Sequence, residues 1–232
     1  MNMSMSAVAS SLWQVYNSEE SWLPFYLPLT FWSACWFYTY YYKLDYSKWS
    51  SLHSFHHIGA ISQGLVSMYY NDDTIYNERI TILWSIPYFI VDLFECVYRK
   101  HFTYTFHGLV CLVLGIGNYN IPLYRALRMN SKATLIETSS LLLYKTKESR
   151  NPVLFMIFAF VYTLCRILWI PIMMKELLDH GIRWTSVTLI LLSGFYALNW
   201  WWYLKILKIL YKGLRGDSVD HPKSSKAAKK EE

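Results

Sequence analysis

Residues 80–98 read ITILWSIPYFIVDLFECVY. A helix rises 1.5 Å per residue, so a run of this length comes close to spanning the roughly 30 Å of hydrocarbon in a bilayer. Asp92 and Glu95 nevertheless stand inside it. An ionisable side chain at membrane depth is costly unless it faces protein or a polar cavity. The stretch therefore predicts a membrane helix with one polar, inward-facing side.

The surrounding chain repeats the pattern. Its 232 residues are 54% apolar and 19% aromatic, yet its mean hydropathy is only +0.16. The 20 Tyr and 11 Trp account for the low value; they score poorly on hydropathy scales but suit membrane interfaces and helix packing. Further apolar runs cover 22–42, 52–70, 106–121, 127–144, 153–174 and 185–203. The run at 127–144 is interrupted by Arg128, Lys132 and Glu137, which predicts a short or re-entrant element. The expected fold is an all-α membrane protein, a single bundle of about seven (6–7) transmembrane helices around a polar central pocket. Residues 1–20 form an N-terminal segment, 21–211 the membrane domain and 212–232 a disordered basic tail.

Charge predicts the orientation. The net charge is +6, and 8 of the 22 Lys and Arg follow Tyr203. With seven spans, one side collects 6 basic residues and the tail side 15. The positive-inside rule then places the tail in the cytosol and the N-terminus in the lumen. Beside a membrane helix, the basic tail reads as this flank rather than as a nucleic-acid arm. No cleavable leader is expected, because the first 20 residues lack a basic n-region. Asn2-Met3-Ser4 is a glycosylation sequon on the lumenal side. Lys229 and Lys230, before a final Glu-Glu, have the placement of a di-lysine retrieval signal read by the COPI coat. That signal implies residence in the endoplasmic reticulum membrane, with cycling through the ER–Golgi intermediate compartment. Cys35, Cys96, Cys111 and Cys165 all lie in apolar runs with no C-x-x-C pair. Disulfides and thiolate zinc sites are therefore not expected.

His53-Ser54-Phe55-His56-His57 has the H-x-x-H-H spacing of a histidine box in membrane di-iron enzymes. Two irons need several such boxes, and this chain has seven histidines in all, with His180 in a loop and His221 in the tail. A single ion on His53, His57, Asp92 and His107 is a separate option. Positions 53, 57, 60 and 64 share one helical face, which Ala60 and Gly64 continue with small residues suited to close packing. His56 lies off that line and reads as an interface residue. His53, Asp92, His107 and Glu137 come from four different spans, and an inward-facing polar cluster would satisfy all four.

Several stretches together resemble the TLC-domain family, the TRAM, Lag1 and CLN8 group. SSLHSFHHIGA (50–60), YFIVDLFE (88–95), FHGLVCLV (106–113), LIETSSLLLY (135–144), FVYTLCRILWIPI (160–172) and LNWWWYLKILKIL (198–210) resemble its histidine, aspartate, His-His, Glu-x-Ser, arginine and Asn-aromatic stretches, in order. The likeness covers roughly residues 20–210, nearest to the small CLN8-like and TLC-domain-containing members. Gly108 stands where many members carry a second histidine, and the acidic motif and homeobox-like region of ceramide synthases are absent from the sequence.

The resemblance implies lipid metabolism or homeostasis in the endoplasmic reticulum. One implied activity is transfer of an acyl chain from acyl-CoA to a lipid amine or hydroxyl. His107 would act as base or nucleophile, Asp92 would orient it, and His53 would polarise the thioester carbonyl. Glu137, His57, Ser139, Arg166 and Asn199 would line the substrate site. Acyl-CoA is then a co-substrate, no cofactor or metal is needed, membrane lipids are the partners, and a homo-oligomer is compatible with the arrangement. The other implied role is non-enzymatic: a lipid sensor, a regulator of membrane composition, or a cargo receptor between ER and Golgi.

Overall fold

The computed structural model describes residues 5–149 and 151–215. Asn2 of the sequon, Lys229, Lys230 and nearly all of the tail lie outside them. The chain is all-helical, 83% helix, with no strand among the described residues.

Helix α1 (Met5–Asn17) precedes α2 (Leu23–Tyr41), which opens on Pro24, where a missing N–H costs nothing. A 3-10 turn at Tyr46–Lys48 leads to α3 (Ser50–Tyr70). This helix stops at Asn71, whose left-handed backbone (φ 47°) carries its N–H back to the Ser67 carbonyl. Helix α4 (Glu78–Tyr98) starts at the Asn77 cap, whose side chain accepts the Arg79 N–H at 3.0 Å. Helix α5 (Phe102–Asn120) returns antiparallel to α4, with Gly108 against Leu93 and Gly115 against Ile86.

The interrupted run breaks into three pieces: α6 (Pro122–Ala126), α7 (Met129–Thr134) and α8 (Glu137–Ser149). Pro122 cannot donate a backbone bond, and Arg128 turns the chain through a left-handed residue (φ 54°). Helix α9 (Pro152–Tyr162), a π-helical segment at Thr163–Leu168 and α10 (Trp169–Asp179) form one continuous rod. Helix α11 (Val187–Leu214) closes the fold and continues well past the expected limit at Tyr203.

Among the described residues, three helical units are long and apolar enough to cross a membrane: Glu78–Tyr98, Pro152–Asp179 and Val187–Gly213. Helices α2, α3 and α5 have comparable lengths, but the Tyr of α2, the Ser and His of α3 and the Thr, Gly and Asn of α5 lower their hydropathy. Burial separates the three apolar units. About 61% of the α4 apolar window is enclosed by protein, against 33% for the rod and 22% for α11. Helix α4 is accordingly central, packed on α2, α3 and α5. The rod turns Phe160, Leu164, Leu168 and Ile172, spaced four apart, to the outside. An apolar stripe of this kind is unfavourable in water and suits hydrocarbon.

The interior has three packed regions. Val110, Met129, Ile170, Leu177, Leu189 and Phe195 join α5, α7, α10 and α11. Trp32, Tyr46, Leu52, Tyr88 and Val91 join α2, α3 and α4. Phe158, Tyr162, Ile167 and Ile206 join the rod to α11. The polar residues of 127–144 are also accounted for. Arg128 pairs with Asp73 at 2.6 Å and donates to Asn71 and Ser67, while buried Glu78 accepts from Ser67 and from the Ser131 backbone and hydroxyl. Lys132 pairs with Glu176. These bonds stitch α7 to α3, α4 and α10.

Candidate functional site

Helix α3 turns all three of its histidines inward; His53, His56 and His57 are each no more than 5% exposed. His56 is therefore not the interface residue its place on the helical wheel suggested. Its ring lies flat on Tyr88 of α4, 3.6 Å between centroids, because α4 packs across α3 at that level. Tyr88 also reaches His53, with its hydroxyl 2.9 Å from Nδ1. The other His53 nitrogen, Nε2, lies 3.1 Å from the Tyr46 carbonyl. A carbonyl only accepts, so Nε2 carries the proton and Nδ1 accepts from the Tyr88 hydroxyl. His53 is thus neutral and has both nitrogens engaged. Tyr144 of α8 stacks on His53 and His57, at 5.5 and 5.7 Å.

The first turn of α8 joins this histidine group to a second one. Glu137 Oε2 lies 2.9 Å from His57 Nδ1, an ion-pair distance with poor hydrogen-bond alignment. Two and three residues later, Ser139 and Ser140 accept from Arg166 Nε (2.7 Å) and Nη2 (2.8 Å). Asn199 Oδ1 of α11 accepts from Arg166 Nη1 at 2.9 Å and from the Tyr162 hydroxyl at 3.1 Å. Arg166 is only 5% exposed, and its bonded partners among the described residues are all neutral. The π-helical segment turns its side chain inward, and such segments recur at functional sites.

His107 of α5 forms the third group. Its ring stacks on Phe195 at 5.2 Å and tilts against Trp202 at 5.6 Å. Nε2 lies 3.8 Å from the Cys111 sulfur, one turn along the helix, and Nδ1 is buried without a partner. Asp92 makes no hydrogen bond or ion pair to His107; its contact among the described residues is the Cys96 thiol, at 4.0 Å. The expected orienting pair is therefore not formed. Glu95 turns away from the site to Trp36 and Arg99.

The predicted residues thus gather as three linked groups rather than around one open centre. Among the described residues, no three or more His, Cys, Asp or Glu side chains are placed to hold a metal, so the four groups of the single-ion option do not converge. Sequence reasoning missed Tyr46, Tyr144, Tyr162 and Ser140. The spacing Glu137, Ser140, Tyr144 runs i, i+3, i+7 and was the available signal for two of them. Among the described residues, nine buried polar side-chain atoms have no hydrogen-bond partner, and four of them are imidazole nitrogens: His56 Nδ1, both nitrogens of His57, and His107 Nδ1. Buried polar atoms are nearly always paired, and bare ones call for a reason.

No protein-family model matches the chain, and neither a curated protein nor a solved structure matches it.

Proposed function

We propose that the chain is a multi-pass endoplasmic reticulum membrane protein of the TLC-domain kind that handles lipid acyl groups, moving an acyl chain from acyl-CoA to a lipid amine or hydroxyl. The observation that carries the reading is the set of buried imidazole nitrogens without hydrogen-bond partners among the described residues, on His56, His57 and His107, in a polar cluster enclosed by apolar helices. In hydrocarbon, no water is at hand to satisfy them, so they favour a polar guest. Arg166, bonded to neutral acceptors and within electrostatic reach of Glu137, adds a positive charge beside the cluster for a developing oxyanion.

In this reading the bundle crosses the membrane seven times, and α6–α8 make the fifth crossing. Two contacts support that path. Arg128 bonds Asn71 and Ser67 at the end of α3, whereas Glu148 at the end of α8 accepts from Ser50 at the start of α3. The tail is cytosolic, and Lys229 and Lys230 return the protein to the endoplasmic reticulum through the COPI coat.

His107 takes the proton of the attacking group. His53, with both nitrogens engaged, positions Tyr88 and α3 rather than touching substrate. His57, Glu137, Ser139, Arg166 and Asn199 line the guest. The test is acylation by microsomes carrying the expressed chain. His107→Ala abolishes lipid acylation with expression intact; unchanged activity in that variant overturns the reading.

A second reading, a lipid sensor, membrane-composition regulator or cargo receptor, draws on the close stacking of His53, His56, Tyr88 and Tyr144. Lipidomics of cells lacking the protein separates the two, since full rescue by His107→Ala belongs to the non-enzymatic role.

A further inference from the structure

Helix α5 sets a thiol beside the proposed base. Cys111 and His107 are four residues apart on one face, and Sγ lies 3.8 Å from Nε2. The pair faces Phe195 and Trp202 of α11, and Cys111 is only partly buried. This is the arrangement of a nucleophile and its activating base. The second nitrogen of His107 is buried and bare. Arg166 and Glu137 both lie near enough to act electrostatically on Cys111 and His107, with opposite signs. Among the described residues, Cys35, Cys96 and Cys165 make no hydrogen bond to an imidazole, and Cys96 bonds the Asp92 carboxylate instead.

We propose that Cys111 carries the acyl group covalently, with His107 as its general base. This rests on the acyl-transfer reading above. His107 Nε2 takes the thiol proton as the sulfur attacks the thioester carbonyl of acyl-CoA. The carbonyl carbon's bond to the coenzyme A sulfur breaks, and His107 returns the proton to the departing thiolate. The products are acyl-Cys111 and free coenzyme A, with no change of oxidation state. The acceptor lipid's amine or hydroxyl then attacks acyl-Cys111, its proton passes through His107 to the Cys111 sulfur, and the free thiol is restored.

The experiment uses the full-length protein in microsomes with an alkyne-tagged palmitoyl-CoA. A label removable by neutral hydroxylamine is expected on the peptide holding Cys111. It is absent from Cys111→Ala and retained in Cys35→Ala. Cys111→Ala loses acyl transfer to the extent that His107→Ala does, and the double variant loses no more than either single one, because a nucleophile and its base act as a unit. Cys111→Ser, with near-identical volume, keeps the detergent melting temperature, which separates loss of chemistry from loss of fold. Transfer that survives in Cys111→Ala, or a label that maps to another residue, overturns the covalent role and leaves the acyl-transfer reading standing. A wild-type protein that neither labels nor transfers overturns both.

Discussion

At the level of single residues, the site depends on polar atoms that need one another inside an apolar bundle. Asn199 Oδ1 serves both Arg166 and Tyr162. Asn199→Leu leaves a guanidinium N–H bare, at a cost of about 1–3 kcal/mol, while the Tyr162 hydroxyl keeps its bond to the residue-199 backbone carbonyl. A lowered melting temperature in detergent is the expected outcome, and an unchanged one would show that Asn199 is not needed to hold Arg166. Arg166→Lys restores the charge but not the fork that reaches Ser139, Ser140 and Asn199 together, so it is expected to melt nearer to Arg166→Met than to wild type. Residues such as Asp92, Glu137 and Arg166 were legible in the sequence because charge inside an apolar run is rare. Tyr88 and Tyr144 were less so, since in a chain with 20 tyrosines nothing local marks the two that stack on histidines.

At the level of elements, the contact between α3 and α7 depends on Gly64. A Cβ there would overlap the Thr134 hydroxyl and stand 2.9 Å from the Ser131 carbonyl, whereas one at Gly117 of α5 meets nothing within 4 Å. Gly64→Ala is expected to destabilise the protein by about 1–3 kcal/mol through overpacking. Gly117→Ala should stabilise it by up to about 1 kcal/mol through helix propensity. Thermal melts of the two variants in one detergent test the contrast, and similar melts would mean that α7 yields to the added methyl. The interrupted run at 127–144 was foreseen as irregular because of its charges. Its division into α6, α7 and α8 depended on partners remote in sequence: Asp73, Glu78 and Glu176.

At the level of the whole molecule, α1 is held to the bundle by a polar clamp. Asn17 bonds the 73–77 turn, and Glu19 accepts from Asn77 at 2.8 Å and from Arg125. Burial works against the Glu19 carboxylate, but the bonds from Arg125 and Asn77 and the nearby Arg79 outweigh it and hold its pKa below the ordinary carboxylate value. A depressed folded-state pKa contributes stability above the unfolded value, near 4.3, and that contribution is lost as pH falls through the lower one. The Glu19 side chain is 57% exposed, so the effect is modest and screened by salt. Protection of residues 8–22 against hydrogen exchange, corrected for the intrinsic rate at each pH, should therefore fall from pH 5 to pH 3 while α4 stays protected; unchanged protection would remove Glu19 from the clamp. The seven-crossing reading puts the two termini on opposite faces, so external protease on sealed microsomes should remove a C-terminal tag and spare an N-terminal one. Loss of both tags would require an even number of crossings. The sequence by itself determined the helical class, the places of the long helices and which buried charges needed partners, because apolar run length and the cost of burying charge are local properties. Only the tertiary structure decided the partners themselves. It set His53 against Tyr88 and Tyr46, Arg166 among Ser139, Ser140 and Asn199, and His107 apart from Asp92, because these pairings follow from how helices remote in sequence pack against one another.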